Sequence, residues 1–285
     1  MSEIMARSLC KAETGPRCLE GGMKMMQSER RIFLIQALLA EQPERYRDVQ
    51  IPSDAGGQAR LLRALFNVRP PMPAPPAFLC VQDDYLQAEL AARGITDADA
   101  LGEFRPGVCL WRGDITTLRC DAIVNAANSA LLGCFCPNHG CIDNAIHTFA
   151  GVQLRLACGE MMDAQGHEEP TGSAKLTPGF NLPSRFVLHT VGPIVRGHVT
   201  QRDQALLASC YRACLDLAQR HGLRSVAFCC ISTGEFHFPN ELAAQIAVET
   251  VCEHDAVRQG RIRVIFNVFK EQDESIYRRI LSGAD

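Results

Sequence analysis

Apolar positions in this chain follow two rhythms, and the change from one to the other falls near residue 100. In SERRIFLIQALLAEQ, which starts at Ser28, Ile32, Ile35, Leu38 and Leu39 recur on one face at helical spacing. GGQARLLRALFNV repeats the habit with Leu61, Leu62 and Leu65, so the spacing predicts a second helix. RPPMPAPPAF then intervenes. Proline lacks a backbone donor and fixes its own φ, so this segment reads as an extended linker or an edge segment. DDYLQAELAARG predicts a further short helix. Beyond it the rhythm changes to short apolar runs, VCLWRG, DAIVNAAN, FVLHTVG, SVAFCCIS and IRVIFNVF, separated by helical stretches such as DQALLASCYRACLDLAQRHG. Short, fully apolar runs are what central strands covered on both faces require, and strand–helix alternation favours a largely parallel sheet. The expected organisation is an extension over residues 1–22 without stable structure, a helical N-terminal region over 23–100, and an α/β domain over 101–285. GGMKMM also permits a later start at Met23.

Composition narrows the function classes. With 285 residues, 47% of them hydrophobic and 21% charged, the chain can bury a large core. A formal net charge of -3 offers no surplus of cations for neutralising phosphates, which argues against nucleic acid as a partner. No apolar stretch approaches the roughly 18 residues that a bilayer span needs, and MSEIMARSLCKAETGPRC lacks the apolar core of a secretory signal. Many of the 14 cysteines lie inside apolar runs such as VAFCCIS, where a free thiol behaves as a small hydrophobe. A cytoplasmic location, where thiols stay reduced, is therefore expected.

Candidate chemistry gathers at strand ends. GDIT at 113–116, NAAN at 125–128 and STGEF at 232–236 each follow an apolar run, and in open α/β sheets ligands sit at the carboxyl ends of strands. An aspartate there can accept from an amino group, and small residues can present backbone N–H groups to a phosphate. Each segment alone reads first as ordinary turn or cap chemistry. GCFCPNHGC, residues 133–141, adds three cysteines and a histidine in one loop. Cys134, His139 and Cys141 can supply two thiolates and an imidazole to one tetrahedral ion with a position left over; Cys136 is at reachable spacing too, and His147 would close the site as a fourth ligand. His189, His221 and His254 read as strand-core, helix-end or surface histidines. No G-x-G-x-x-G follows a predicted strand, which removes the dinucleotide oxidoreductases from consideration.

Together, in this order, GDIT, NAAN and STGEF resemble the macrodomain family over residues 105–280, whose segments of this kind line a cleft for ADP-ribose. Macrodomains that hydrolyse ADP-ribose carry GGGVDGAIH where this chain has HGCIDNAIH. That departure, with GCFCPNHGC and the helical region in front, resembles the zinc-dependent macrodomains that remove ADP-ribose from proteins. The resemblance implies a three-layer α/β/α fold with a mixed, mostly parallel sheet. It implies Zn²⁺ on Cys134, His139 and Cys141, with Cys136 a variable position and His147 in a packing or capping role. Asp114 and Ile115 would hold the adenine, Asn125 and Asn128 would line the distal ribose, and Ser232, Thr233, Gly234, Glu235 and Phe236 would wrap the diphosphate and distal ribose, with the acidic Glu235 side chain pointing away. Asp143 would orient or deprotonate the attacking water and Asn128 would fix the ribose. The implied activity is hydrolysis of mono-ADP-ribose from an ADP-ribosylated protein. The implied partners are a lipoyl-carrier protein as a substrate and a sirtuin as a functional neighbour. A reader that binds ADP-ribose without chemistry is the alternative, and a zinc-stapled interaction module is a third. The helical N-terminal region carries no motif with chemistry of its own, and packing against the sheet domain is its expected role.

Overall fold

The structure is a computed structural model that describes residues 25–283, so the extension expected over residues 1–22 lies outside the described residues. The N-terminal region is helical: α1 (Gln27–Glu41), α2 (Pro43–Tyr46), α3 (Ala55–Val68) and α4 (Pro76–Arg93). Asp54 caps α3 by accepting from Gly57 N at 2.7 Å, which satisfies one of the donors that a helix start leaves open. The predicted short helix is the second half of the 18-residue α4. The proline-rich stretch explains the difference, because a proline at the first helical position has its φ preset and needs no N–H partner. Leu34, Ile35 and Leu38 of α1 pack with Leu62, Leu65 and Phe66 of α3 and with Phe78, Tyr85 and Leu86 of α4, and Val152 joins them from the other part of the chain. Leu34 and Phe66 are buried where the spacing pointed to Ile32 and Leu61, a shift of part of a turn within each apolar face.

The remaining strands are β1 (Thr96–Asp97), β2 (Glu103–Arg105), β3 (Val108–Arg112), β4 (Leu118–Arg119), β5 (Ala122–Ala127), β6 (Ala174–Pro178), β7 (Phe186–Val191), β8 (Ser225–Phe228) and β9 (Arg263–Val268). β1 and β4 form a separate parallel pair, and the seven others form one sheet in the order β2-β3-β9-β8-β5-β7-β6. The five strands read from apolar runs are its parallel centre, and the antiparallel edge strands β2 and β6 complete it. Every residue of β7 is buried, which requires cover on both faces. The cover comes from α5 (Ile142–Ala150), α6 (Val152–Gln165), α7 (Gln201–Arg220), α8 (Asn240–Glu253), α9 (Asp255–Arg258) and α10 (Glu271–Ser282). This is an α/β fold with a mixed, mostly parallel sheet preceded by a helical region.

The topology dictates where a ligand can enter. From β5 the chain runs to β6 and then β7 on one side, then crosses through α7 to β8 on the other side and on to β9. Connections therefore depart in opposite directions on either side of the β5–β8 boundary, which is where a crevice opens outside the strand ends. The register shows the opening begin: β5 pairs β8 only through Ala122↔Val226 and Ile123↔Ala227, while its pairing with β7 continues to Ala127↔Val191.

Candidate active site

Two loops border this crevice, one from β5 to α5 and one following β8. Both hold non-glycine residues in the left-handed region: Leu131 and Asn138 in the first, Ser232 and His237 in the second, with φ between 57° and 65°. Such conformations cost about 1–3 kcal/mol each and persist only where surroundings impose them. Gly192, after β7, shows how tightly the second loop is held, because a Cβ there would fall 2.0 Å from Ser232 Oγ. Val195 N also donates to Phe236 O at 2.9 Å.

In the first loop the ligand atoms of Cys134, His139 and Cys141 all lie within 4.8 Å of one another. Cys134 Sγ stands 3.6 Å from His139 Nδ1. Zinc–sulfur and zinc–nitrogen bonds of about 2.3 and 2.0–2.1 Å at a tetrahedral angle place S and N about 3.6 Å apart, so the donor set fits a zinc-type cation. Burial pushes the Cys141 thiol up to about 12, with Cys134 beside it adding to the shift, so loading a cation must displace its proton. Cys141 also caps α5, its Sγ accepting from Asn144 N at 3.5 Å. Cys136 is exposed and is not part of this cluster. His147 lies under the loop, 5% exposed, and both its ring nitrogens lack a hydrogen-bond partner. It belongs to a separate buried group with Cys158 and His189. Gly133 arches over it at φ 78°, where a Cβ would come within 2.8 Å of the imidazole.

Asp143, in the first turn of α5, is 5% exposed. Its Oδ1 accepts from Asn125 Nδ2 at 2.7 Å and stands 3.6 Å from His147 Nε2, and its Oδ2 is 3.5 Å from Asn128 Nδ2. Burial raises its pKa to about 6, opposed by the Asn125 bond and the Arg155 charge. Asn125 was expected along the cleft with Asn128. It is fully enclosed inside β5 instead, bridging Asp143 and, at 3.2 Å, His189 Nδ1, so it orients Asp143 from behind. Asn128 follows the strand and remains half-buried, its Nδ2 on Gly133 O at 3.1 Å and its Oδ1 accepting from Ala130 N.

Glu235 was expected to point away; its carboxylate is 70% exposed but Oε1 lies 3.5 Å from His139 Nε2, across from the second loop to the first. The Glu235 carboxylate thus stands beside the far nitrogen of the His139 ring, while Nδ1 faces Cys134. Asp114 caps the short turn Ile115–Thr117, its Oδ1 accepting from Thr116 N and Oγ1. Its Oδ2 accepts from Arg93 Nη1 at 2.9 Å, and that guanidinium lies 3.7 Å over the Phe149 ring. Ile115 is buried, and Thr233 Oγ1 donates to Cys230 O, which closes its turn. Ser232 is buried with an unpartnered hydroxyl, Gly234 has open space around it, and Phe236 is half-buried.

Three residues near the site were not legible in the motifs. Phe269 is 77% exposed immediately after β9, next to Asp114 because Gly113 N donates to Val268 O. An aromatic left uncovered at the end of a central strand was the available signal. Arg155 of α6 and Arg93 of α4 carry no motif; only tertiary contacts single them out.

Comparison with known proteins agrees with this arrangement. The Macro domain family model matches residues 124–247, which run from β5 into α8. The protein-ADP-ribose hydrolase of Treponema medium is 54% identical over 265 residues, 90% of this chain and 100% of that protein. A protein of the same description from Staphylococcus aureus (strain MSSA476) is 48% identical over 80% of this chain and 86% of its own length. Among solved structures, the Trypanosoma brucei macrodomain in complex with ADP-ribose is 32% identical with a TM-score of 0.57, covering 77% of this chain and 94% of that one. The Oceanobacillus iheyensis macrodomain with ADP is 40% identical with a TM-score of 0.56, covering 62% and 90%. On the switch-point crevice, the loops that border it and near-complete coverage of close relatives, this chain belongs to the macrodomain family.

Proposed function

We propose that the chain is a zinc-dependent hydrolase of the cytoplasm that removes mono-ADP-ribose from modified protein side chains and releases ADP-ribose. The observation that carries this reading is the convergence of Cys134, His139 and Cys141 on one point in the loop that leads directly into Asp143. The names of the close relatives and the ligand of the T. brucei structure support the substrate class.

Cys134, His139 and Cys141 would hold the zinc, which when bound supplies a Lewis acid with an open fourth position, made milder by its two thiolates. The chain's own residues do the rest. Asp114 and the backbone at Ile115 hold the adenine, and the open face of Phe269 stacks on it. The segment Ser232 to Phe236 wraps the diphosphate and distal ribose with its backbone N–H groups. Asn128, whose amide is aimed by Gly133 O and Ala130 N, fixes a distal-ribose hydroxyl. Asp143, aimed by Asn125, orients the attacking water and takes its proton. The water oxygen bonds to C1 of the distal ribose, the bond from C1 to the acceptor side chain breaks, and the proton passes to the departing acceptor atom. A lipoyl-carrier protein modified by a sirtuin is the first substrate to assay.

The test incubates a mono-ADP-ribosylated protein with the purified chain, with and without chelator, alongside elemental analysis of the same preparation. Zinc near one per chain and chelator-sensitive release of ADP-ribose are expected. Undiminished release by metal-free protein would overturn the zinc-dependent mechanism, and tight binding without release would make the chain a reader.

A further inference from the structure

The loop that carries the three metal-ligand candidates makes few bonds with itself. His139 N donates to Cys136 O at 3.2 Å, and Leu131 N to Asn128 O at 3.0 Å. What shapes it comes from outside, and much of that comes from α3 in the helical N-terminal region. Arg63 and Asn67 are four residues apart on that helix and so share a face. Arg63 Nη2 donates to His139 O at 3.0 Å and to Asn144 Oδ1 at 2.8 Å, and Nε donates to the same Asn144 oxygen at 3.2 Å. Asn144, fully buried on α5, passes the constraint on: its Nδ2 donates to Cys136 O at 3.0 Å and its backbone N to Cys141 Sγ. Asn67, 1% exposed, accepts from Asn138 N at 2.9 Å and anchors itself by donating to Thr148 Oγ1 at 3.0 Å.

Three polar backbone groups within four residues, Cys136 O, Asn138 N and His139 O, are thus held by side chains outside the loop. One of the residues so held, Asn138, is in the left-handed region and needs an external partner to stay there. A ligand loop gains affinity when its donors are held near the bonded geometry before the ion arrives, since the ion then does not have to order them.

We propose that Arg63 and Asn67 are positioning residues for the metal loop, acting directly on the backbone at His139 and Asn138 and, through Asn144, on Cys136 and Cys141, so that the helical N-terminal region sets the affinity of the site for a zinc-type cation instead of only packing against the sheet. This rests on reading the loop as a zinc site. Neither residue touches the ion or the substrate; each fixes the backbone that presents the ligands. Replacing partners of this kind lowers metal affinity by about 10–100-fold.

The experiment uses the full chain and the variants Arg63→Met, Arg63→Lys and Asn67→Ala. Three quantities are read: the Zn²⁺ dissociation constant by competition with a chromophoric chelator, the absorption spectrum of the Co²⁺-loaded protein, and the melting temperature of the metal-free protein. Arg63→Met and Asn67→Ala are each expected to weaken Zn²⁺ binding at least tenfold and to alter the Co²⁺ spectrum. Arg63→Lys keeps the charge without the planar fork and falls between Arg63→Met and the parent. If both truncated variants melt lower yet keep parental Zn²⁺ affinity and Co²⁺ spectrum, the two residues are merely structural and the proposal is overturned. Arg63→Lys, the mildest change, decides the matter in the same way if Arg63→Met does not fold. A parent chain that binds no zinc sinks the zinc reading and this inference with it, whereas a parent that binds one zinc beside unaffected variants sinks the inference alone.

Discussion

Arg155 joins the helical N-terminal region, the metal loop and the catalytic candidate, and its removal has a cost that can be worked out. It is 4% exposed on α6. Its Nε donates to Leu132 O at 2.6 Å, and its Nη1 donates to Phe66 O at 2.8 Å and to Arg69 O at 2.6 Å. The guanidinium lies 4.4 Å from the Phe135 ring centroid. Burial lowers its pKa to about 10, with Asp143 opposing the shift, so it remains a cation at neutral pH. Arg155→Met keeps the stem and most of the volume but leaves three carbonyls without their donor. Each hydrogen bond to a charged group is worth about 1.5–3 kcal/mol. Relief from burying a cation offsets part of the sum, so a net loss of about 3–5 kcal/mol is expected. At about 2 °C per kcal/mol for a chain of this size, the melting temperature should fall by about 6–10 °C. Urea unfolding and scanning calorimetry on parent and variant measure it. Arg155→Lys should recover less than half, since one ammonium cannot reproduce the fork that reaches three carbonyls. A loss below about 1 kcal/mol for Arg155→Met would refute the reasoning, because the three carbonyls would then have found other donors.

Asp143→Asn keeps an acceptor for Asn125 but removes the base; turnover should fall by about 10²–10⁴-fold, with ADP-ribose affinity by calorimetry staying within about tenfold, or 1.4 kcal/mol, and full turnover would remove Asp143 from the reaction. Gly133→Ala places a methyl 2.8 Å from the buried His147 ring at φ 78° and should cost about 1–3 kcal/mol in urea unfolding; unchanged stability would mean that the loop has room the contacts do not show. Phe269→Ala should leave stability within about 0.5 kcal/mol, since the ring is exposed, and should weaken ADP-ribose by the roughly 1–3 kcal/mol of a base–aromatic stack. Unaltered affinity in a titration would place the adenine elsewhere.

Periodicity and composition alone determined much of this protein. Short apolar runs were legible as the central strands because a strand covered on both faces has no polar side to show, and FVLHTV is buried at every position. The edge strands β2 and β6 were not legible: each is paired on one side only and shows no such run, as in EFR and AKLTP. Spacing within one loop offered Cys134, His139 and Cys141 as candidate ligands but left Cys136 and His147 open; the family resemblance chose among them, and the fold brings the first three together. Asp143 was singled out only by the resemblance of HGCIDNAIH to the macrodomain loop, not by periodicity or composition. The depth of Asn125 behind Asp143, the Glu235 carboxylate beside His139, and the support from Arg63, Asn67 and Arg155 were decided only by the tertiary structure. The physical reason is distance along the chain. Arg63 meets Asn144 across 81 residues, and no local pattern marks an arginine whose partners are one backbone carbonyl and one distant amide. Local spacing specifies which atoms a loop can bring together; the packing of a remote helix decides how firmly they are held.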